Sequence, residues 1–225
     1  MSGVWAVLPV KELDGAKQRL AGLLSPPQRR ALAEVMLGEV LDALAAARGL
    51  AGLLLVTREP VATAAARRLG ARVVEEGARE GHTGSVAAAA RLLAAEGCGG
   101  MLALPGDIPA ATSAEIEALL TVHPPAPAFT IAPAHDGMGS NAVLCSPPGA
   151  VPLRFGDDSF RPHLAAARAC GIEPTVLRLP GIAMDLDHPA DLAAFARLSQ
   201  AAETRTLAFL RSSGVLRLLE ERGLP

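Results

Sequence analysis

Along the first half of this chain, short unbroken apolar runs alternate with longer stretches whose apolar residues recur every three to four positions. That alternation leaves few folds open. The run at residues 4–9 predicts a buried strand. A polar loop follows, through Arg19. Pro26 and Pro27 then open a helix predicted over 26–48, since proline is tolerated in a helix's first turn. Its Leu32, Val35, Met36, Val40, Leu41 and Leu44 form a one-sided stripe. Further strands are predicted at 51–57, 71–75 and 100–104, and helices at 61–69, 84–96 and 113–120. The pattern implies an α/β fold, with a mostly parallel sheet covered by helices on both faces. Ligands in such folds bind at the carboxyl ends of the strands. Here those ends lead into the loops 9–19, 75–85 and 105–109.

The second half is less regular. Strands are predicted at 128–133 and 141–146, around the turn His135-Asp136-Gly137. A helix is predicted over 159–170, a strand over 175–179 and a helix over 189–198. The tail 203–224 reads as one amphipathic helix. No repeat or linker appears, so residues 1–200 read as one domain and 201–225 as a helical extension. The tail's stripe, Leu207, Leu210, Leu218 and Leu219, must be covered by something, which predicts a homodimer.

Composition narrows the partners. The net charge is −2, aromatic residues make up 3% and tyrosine is absent, so the chain offers little to stack on nucleic-acid bases. No apolar run approaches the roughly 20 residues of a membrane span. The start lacks a basic stretch before its apolar run, so no signal peptide is predicted. Cys98, Cys145 and Cys170 have no metal-binding spacing and argue against a disulfide framework, which makes the cytoplasm the expected compartment. Of 21 basic residues only Lys11 and Lys17 are lysines, and both fall in the loop after the first strand.

Four segments could carry chemistry. Pro9, Lys11, Lys17 and Arg19 lie where cations and backbone N–H groups suit a polyphosphate. Exposed lysines in a solvated loop are the commoner explanation of such charge. No P-loop motif is present. Asp107 ends an apolar strand between two prolines, a rigid mount for one carboxylate, and a carboxylate there suits a hard cation. Asp185 and Asp187 are two apart in an extended segment, so they face the same way and repel unless a cation lies between them. Asp191, by contrast, reads as a helix-start acid. Ser140, Gly156 and Ser159 sit in glycine-bearing loops, and Ser159 opens a helix whose N–H groups could hold a phosphate. Read bare, Ser159 is an ordinary N-cap. His163, one turn further on, could meet an anion or pack as a neutral ring. No GxSxG nucleophile signature appears.

Taken in order, LPVK…AKQRL, LPGDIP, GSNAV, FGDDSF and MDLDHPADL resemble the 2-phospho-L-lactate guanylyltransferase family of coenzyme F-420 biosynthesis, over residues 4–195. The resemblance implies a Rossmann-like nucleotidyltransferase fold with a mixed, mostly parallel sheet. It implies transfer of GMP from GTP to a small phosphorylated acid: 2-phospho-L-lactate, phosphoenolpyruvate or 3-phospho-D-glycerate. It carries Asp107, Asp185 and Asp187 to a magnesium site, with Lys17 and Asp107 as catalytic residues. Pro9, Lys11, Lys17 and Arg19 fall at the triphosphate, and Ser140, Gly156 and Ser159 at the acceptor's phosphate. The chain departs from the family in having Ser140 for a threonine, Asp157-Asp158 where a second glycine is common, and the stretch Gly81–Ser85 for a Leu-Asn pair. Two alternatives stand beside this reading. One is a molybdenum-cofactor nucleotidyltransferase, whose glycine-rich start is missing here. The other is a non-catalytic nucleotide-binding protein of the same fold.

Overall fold

A computed structural model describes residues 3–156 and 158–223. Asp157 of the FGDDSF loop and Leu224 of the tail lie outside the described residues. Among those described, seven strands form one sheet in the order β3-β2-β1-β4-β6-β5-β7. These are β1 (Val4–Val10), β2 (Leu50–Thr57), β3 (Arg72–Val74), β4 (Gly100–Ala103), β5 (Ala128–Pro133), β6 (Ser140–Ser146) and β7 (Thr175–Val176). Strands β1 to β4 are mutually parallel where they pair. Strand β6 runs antiparallel to both β4 and β5, which makes the sheet mixed.

The strands are apolar on both sides because helices cover both faces. Successive side chains point to opposite faces. Ala6 and Leu8 therefore join Leu55, Leu102 and Leu144 on one face. Trp5 and Val7 join Leu54, Val56 and Met101 on the other. The first face is covered by α1 (Pro26–Ala46), through Leu32, Met36, Val40, Leu41 and Leu44 of the predicted stripe. Val35 lies outside this buried set. The second face is covered by α3 (Gly81–Ala95), through Val86, Ala89 and Leu93. Helices α2 (Pro60–Arg68) and α4 (Ser113–Val122) complete this half, and Thr112 caps α4 as the sequence suggests, accepting from Glu115 N at 3.2 Å.

Several boundaries differ from expectation. Helix α3 begins at Gly81, so Gly81, His82 and Thr83 form its first turn instead of a loop. Helix α5 spans Phe160–Ala169. The strand predicted over 175–179 is only two residues long, because Pro180 opens a short helix, α6 (Pro180–Ala183). Helix α7 (Pro189–Phe195) is shorter than predicted. The tail is not one helix. It divides into α8 (Arg205–Ser212) and α9 (Val215–Glu221) at Gly214, whose φ of 75° is a turn conformation natural to glycine.

Helix α8 lies on α1. Leu207, Leu210 and Leu219 are buried in the same core as the first face of the sheet, and Leu218 packs against it. The tail's stripe is thus spent inside the chain and no longer argues for a dimer. No helix among the described residues is long and apolar enough to cross a membrane.

Candidate active site

The carboxyl ends of β1 and β4 open into a cavity of about 490 Å³. Pro9, Lys11 and Lys17 of the first loop line it, facing Pro105, Gly106 and Asp107 beyond β4. A second cavity of about 870 Å³ adjoins it. Ser140, Gly156, Ser159, Asp185 and Arg19 line that one. Lys11, His82, Pro105, Asp107 and Asp187 line both, so they form the sill between the two.

Backbone bonds assemble this sill. Leu186 N–H donates to Asp107 O at 3.1 Å, which lays the segment 185–187 against the end of β4. Leu186 points into the core and is fully buried, so its two neighbours face the cavity, as the period of an extended segment requires. Asn141, on β6, holds the same segment from the other side. Its Nδ2 lies 3.0 Å from Ile182 O, 3.1 Å from Ala183 O and 2.9 Å from Asp185 Oδ1. Gly181 permits the approach: a Cβ there would collide with the carbonyl of Ala110.

Lys17 occupies the centre. Its Nζ donates to Asp107 Oδ2 at 2.6 Å and to Asp187 Oδ1 at 2.7 Å, and its side chain is only 8% exposed. It has φ 52°, ψ 45°, a left-handed conformation that costs a non-glycine residue roughly 1–2 kcal/mol. Such strain concentrates at functional positions. Burial works against the Lys17 ammonium, but Asp107 and Asp187 override it and hold its pKa above the ordinary value. Burial would likewise raise Asp187, but Lys17, with Arg19 at 3.3 Å, holds that carboxyl below its usual range. Asp185 goes the other way. Burial raises its pKa, and the charges of Asp107 and Asp187 add to this against the bond from Asn141.

The sequence reading puts a cation between converging carboxylates. In the structure the Lys17 ammonium, read from sequence as a catalytic and triphosphate-contacting group, lies between Asp107 and Asp187. Among the described residues no three His, Cys, Asp or Glu side chains are arranged to hold one metal ion. Asp191 also does more than complement a helix dipole. Its Oδ2 accepts from Asp187 N at 3.0 Å and from His188 N at 2.6 Å, so it holds the backbone at Asp187 and His188. His135 stands beside it, with Nε2 3.5 Å from Asp191 Oδ1 and Nδ1 3.8 Å from Asp185 Oδ1.

On the far wall, Ser159 is buried and precedes α5, but its hydroxyl makes no capping bond and lines the second cavity. Ser140 Oγ lies 3.0 Å from His163 Nδ1. Thr83 Oγ1 accepts from Phe155 N at 3.0 Å, which ties the start of α3 to the loop carrying Gly156. The rings of His82 and Phe155 meet edge-on at 4.5 Å. Burial pushes His82 down to about 4, against the pull of Asp107 and with the help of Lys11. The sequence reading assigned no role to His82, His135 or Asn141. Only Asn141 carried a signal, as a polar side chain at the start of an otherwise apolar strand.

The family model described as "Guanylyl transferase CofC like" matches residues 4–221. The chain belongs to this family. Among its relatives, a phosphoenolpyruvate guanylyltransferase from Rubrobacter xylanophilus is 43% identical over 191 residues, covering 84% of this chain and 92% of the relative. A 3-phospho-D-glycerate guanylyltransferase from Colwellia psychrerythraea is 35% identical over 193 residues, covering 86% and 91%. Solved structures share the fold of this CofC-like chain at low identity. A candidate nucleotide-diphospho-sugar transferase from Desulfovibrio desulfuricans G20 superposes with TM-score 0.77 at 19% identity, covering 97% of this chain and 98% of the other. A nucleotidyl transferase from Methanothermobacter gives 0.60 at 17%, covering 94% and 100%. The CofC-like chain is therefore a nucleotidyltransferase by family, on the Rossmann-like fold that its sequence implied.

Proposed function

We propose that this chain moves GMP from GTP to phosphoenolpyruvate, in the cytoplasm, releasing pyrophosphate. The observation that carries the proposal is the shared sill: two adjoining cavities meet at Asp107 and Asp187, and Lys17 binds both of these carboxylates from the first cavity. The Rubrobacter relative's name supports phosphoenolpyruvate as the acceptor. 3-Phospho-D-glycerate is the second reading, favoured by the Colwellia relative. The free thiols of Cys98, Cys145 and Cys170 fit a reducing compartment.

In this reading GTP takes the first cavity, with Lys11 and Lys17 toward its phosphates and Arg19 facing them from the second cavity. The acceptor takes the second, its phosphate on Ser140, Gly156 and Ser159. An oxygen of that phosphate attacks the α-phosphorus in line. The new P–O bond forms as the bond to the β-phosphate oxygen breaks, and the electron pair leaves with pyrophosphate. A phosphate is already an anion, so no strong base is required. The difficulty is bringing two anions together, which fixed cations answer electrostatically.

Asp107, Asp185 and Asp187 supply oxygen donors of the kind magnesium takes, and would hold the ion only after regrouping around it, since as they stand they are not arranged about one ion. Bound there, magnesium would neutralise charge on the nucleotide phosphates. Incubating the purified protein with GTP, magnesium and each acid in turn tests the proposal. Pyrophosphate and a guanylylated product should form fastest with phosphoenolpyruvate. Release of pyrophosphate with none of the acids would sink it.

A further inference from the structure

We propose that His163 is a positioning residue that fixes the Ser140 hydroxyl as a hydrogen-bond donor to the acceptor's phosphate. The proposal rests on the acceptor-site reading above. The argument starts at the far side of the ring. The backbone N–H of Arg154 points to His163 Nε2 at 3.0 Å. A backbone N–H can only donate, so Nε2 carries no proton. Burial, helped by the positive charge of Arg154, pushes His163 down to about 4, so the ring is neutral at physiological pH. A neutral imidazole with a bare Nε2 carries its proton on Nδ1.

Nδ1 lies 3.0 Å from Ser140 Oγ, so it donates and the hydroxyl accepts. The hydroxyl's own proton must then point elsewhere. Among the described residues Ser140 Oγ has no other hydrogen-bond partner, and Ser140 lines the second cavity. A hydroxyl so constrained offers the cavity a donor, which suits the oxygens of a phosphate, as these only accept. The ring cannot easily turn away. His163 is 1% exposed, and the Phe155 ring stands edge-on to it at 5.1 Å.

The two ring nitrogens do separable jobs, and two amides can separate them. Asparagine places its amide near the position of Nδ1 and can donate to Ser140, but leaves Arg154 N–H without an acceptor. Glutamine reaches the position of Nε2 and can accept from Arg154 N–H, but gives Ser140 no donor. In steady-state assays with phosphoenolpyruvate, His163→Gln should raise the acceptor KM about tenfold, leaving the KM for GTP unmoved. His163→Asn should bring the acceptor KM back to within about threefold of wild type, although it melts lower than His163→Gln.

A purely structural histidine would move KM and melting temperature together in both variants, and that result overturns the proposal. Ser140→Ala separates the two layers of the argument. If it raises the acceptor KM and His163→Gln does not, the role of His163 is wrong and the acceptor site stands. If Ser140→Ala leaves the acceptor KM unchanged, the acceptor-site reading fails and takes the proposal with it. Adding His163→Gln to Ser140→Ala should cost nothing more, since both break one chain of bonds.

Discussion

The backbone N–H of Leu186 donates to the carbonyl oxygen of Asp107 across 3.1 Å. That bond joins two segments far apart in the chain and brings Asp107 and Asp187 to one lysine, with Asp185 beside them. Asp107 arrives from β4, and Asp185 and Asp187 flank the buried Leu186. Lys17, from the loop after β1, closes the group with bonds of 2.6 and 2.7 Å.

Removing the ammonium should therefore damage turnover more than folding. Lys17→Met leaves Asp107 and Asp187 side by side without their shared counter-charge. Its kcat should fall by about 10²–10³, the range for losing one preorganised electrostatic contact. Asparagine at Asp107, Asp185 or Asp187 should keep the fold and lower magnesium-dependent pyrophosphate release by a comparable factor. Circular dichroism with a pyrophosphate assay checks both. Normal turnover in Lys17→Met would remove it from the catalytic group.

Asp191 should discriminate between shape and charge. One oxygen, Oδ2, accepts from both Asp187 N and His188 N. Asparagine can keep that oxygen in place, so Asp191→Asn should retain most activity. Asp191→Ala orphans two backbone donors, at a cost of about 1–3 kcal/mol. It should lower both kcat and the melting temperature. Equal loss in both variants would mean that the charge matters, not the bonds.

Ser159→Ala should weaken use of the acceptor and spare GTP. The hydroxyl caps nothing and lines the second cavity. Losing one bond to a charged phosphate costs roughly 1.5–3 kcal/mol, one to two decades in the acceptor KM. A change confined to the KM for GTP would show that the two cavities have been assigned the wrong way round.

Acid should destabilise the protein through His163. Its pKa is about 4 when folded, because it is buried. In the unfolded chain it returns to about 6.5. Between those values the unfolded state binds the extra proton, so stability falls as pH drops from about 6.5 to about 4 and this contribution then levels off. The shift is worth about 3 kcal/mol. Urea unfolding at pH 7.5 and pH 4.5 should show a smaller acid loss in His163→Asn than in wild type. Identical losses would place the acid sensitivity elsewhere.

The C-terminal helices should matter for stability and not for chemistry. Leu210 is fully buried in the main core, on the α8 helix that lies against α1. Leu210→Ala should cost about 2–5 kcal/mol. Its denaturation midpoint should fall while both KM values hold. An unchanged midpoint would mean that the tail is dispensable.

Sequence alone determined the layered plan. Apolar runs in β1, β2 and β4 and the stripe of α1 report burial directly, because local period and burial are the same physical fact. It also singled out Lys17, Asp107, Asp185, Asp187, Ser140 and Ser159, all of which line the two adjoining cavities. It did not show who meets whom. Whether Lys17 reaches Asp107 and Asp187, whether Asp191 is a helix-start charge or a backbone clamp, and which nitrogen of His163 holds the proton all depend on contacts between distant segments. The same holds for the tail, whose stripe reads alike whether it faces α1 or a second copy. Such contacts leave no period in the sequence. They are decided only when the sheet sets β1, β4 and β6 side by side and the bond from Leu186 to Asp107 brings their loops to one edge.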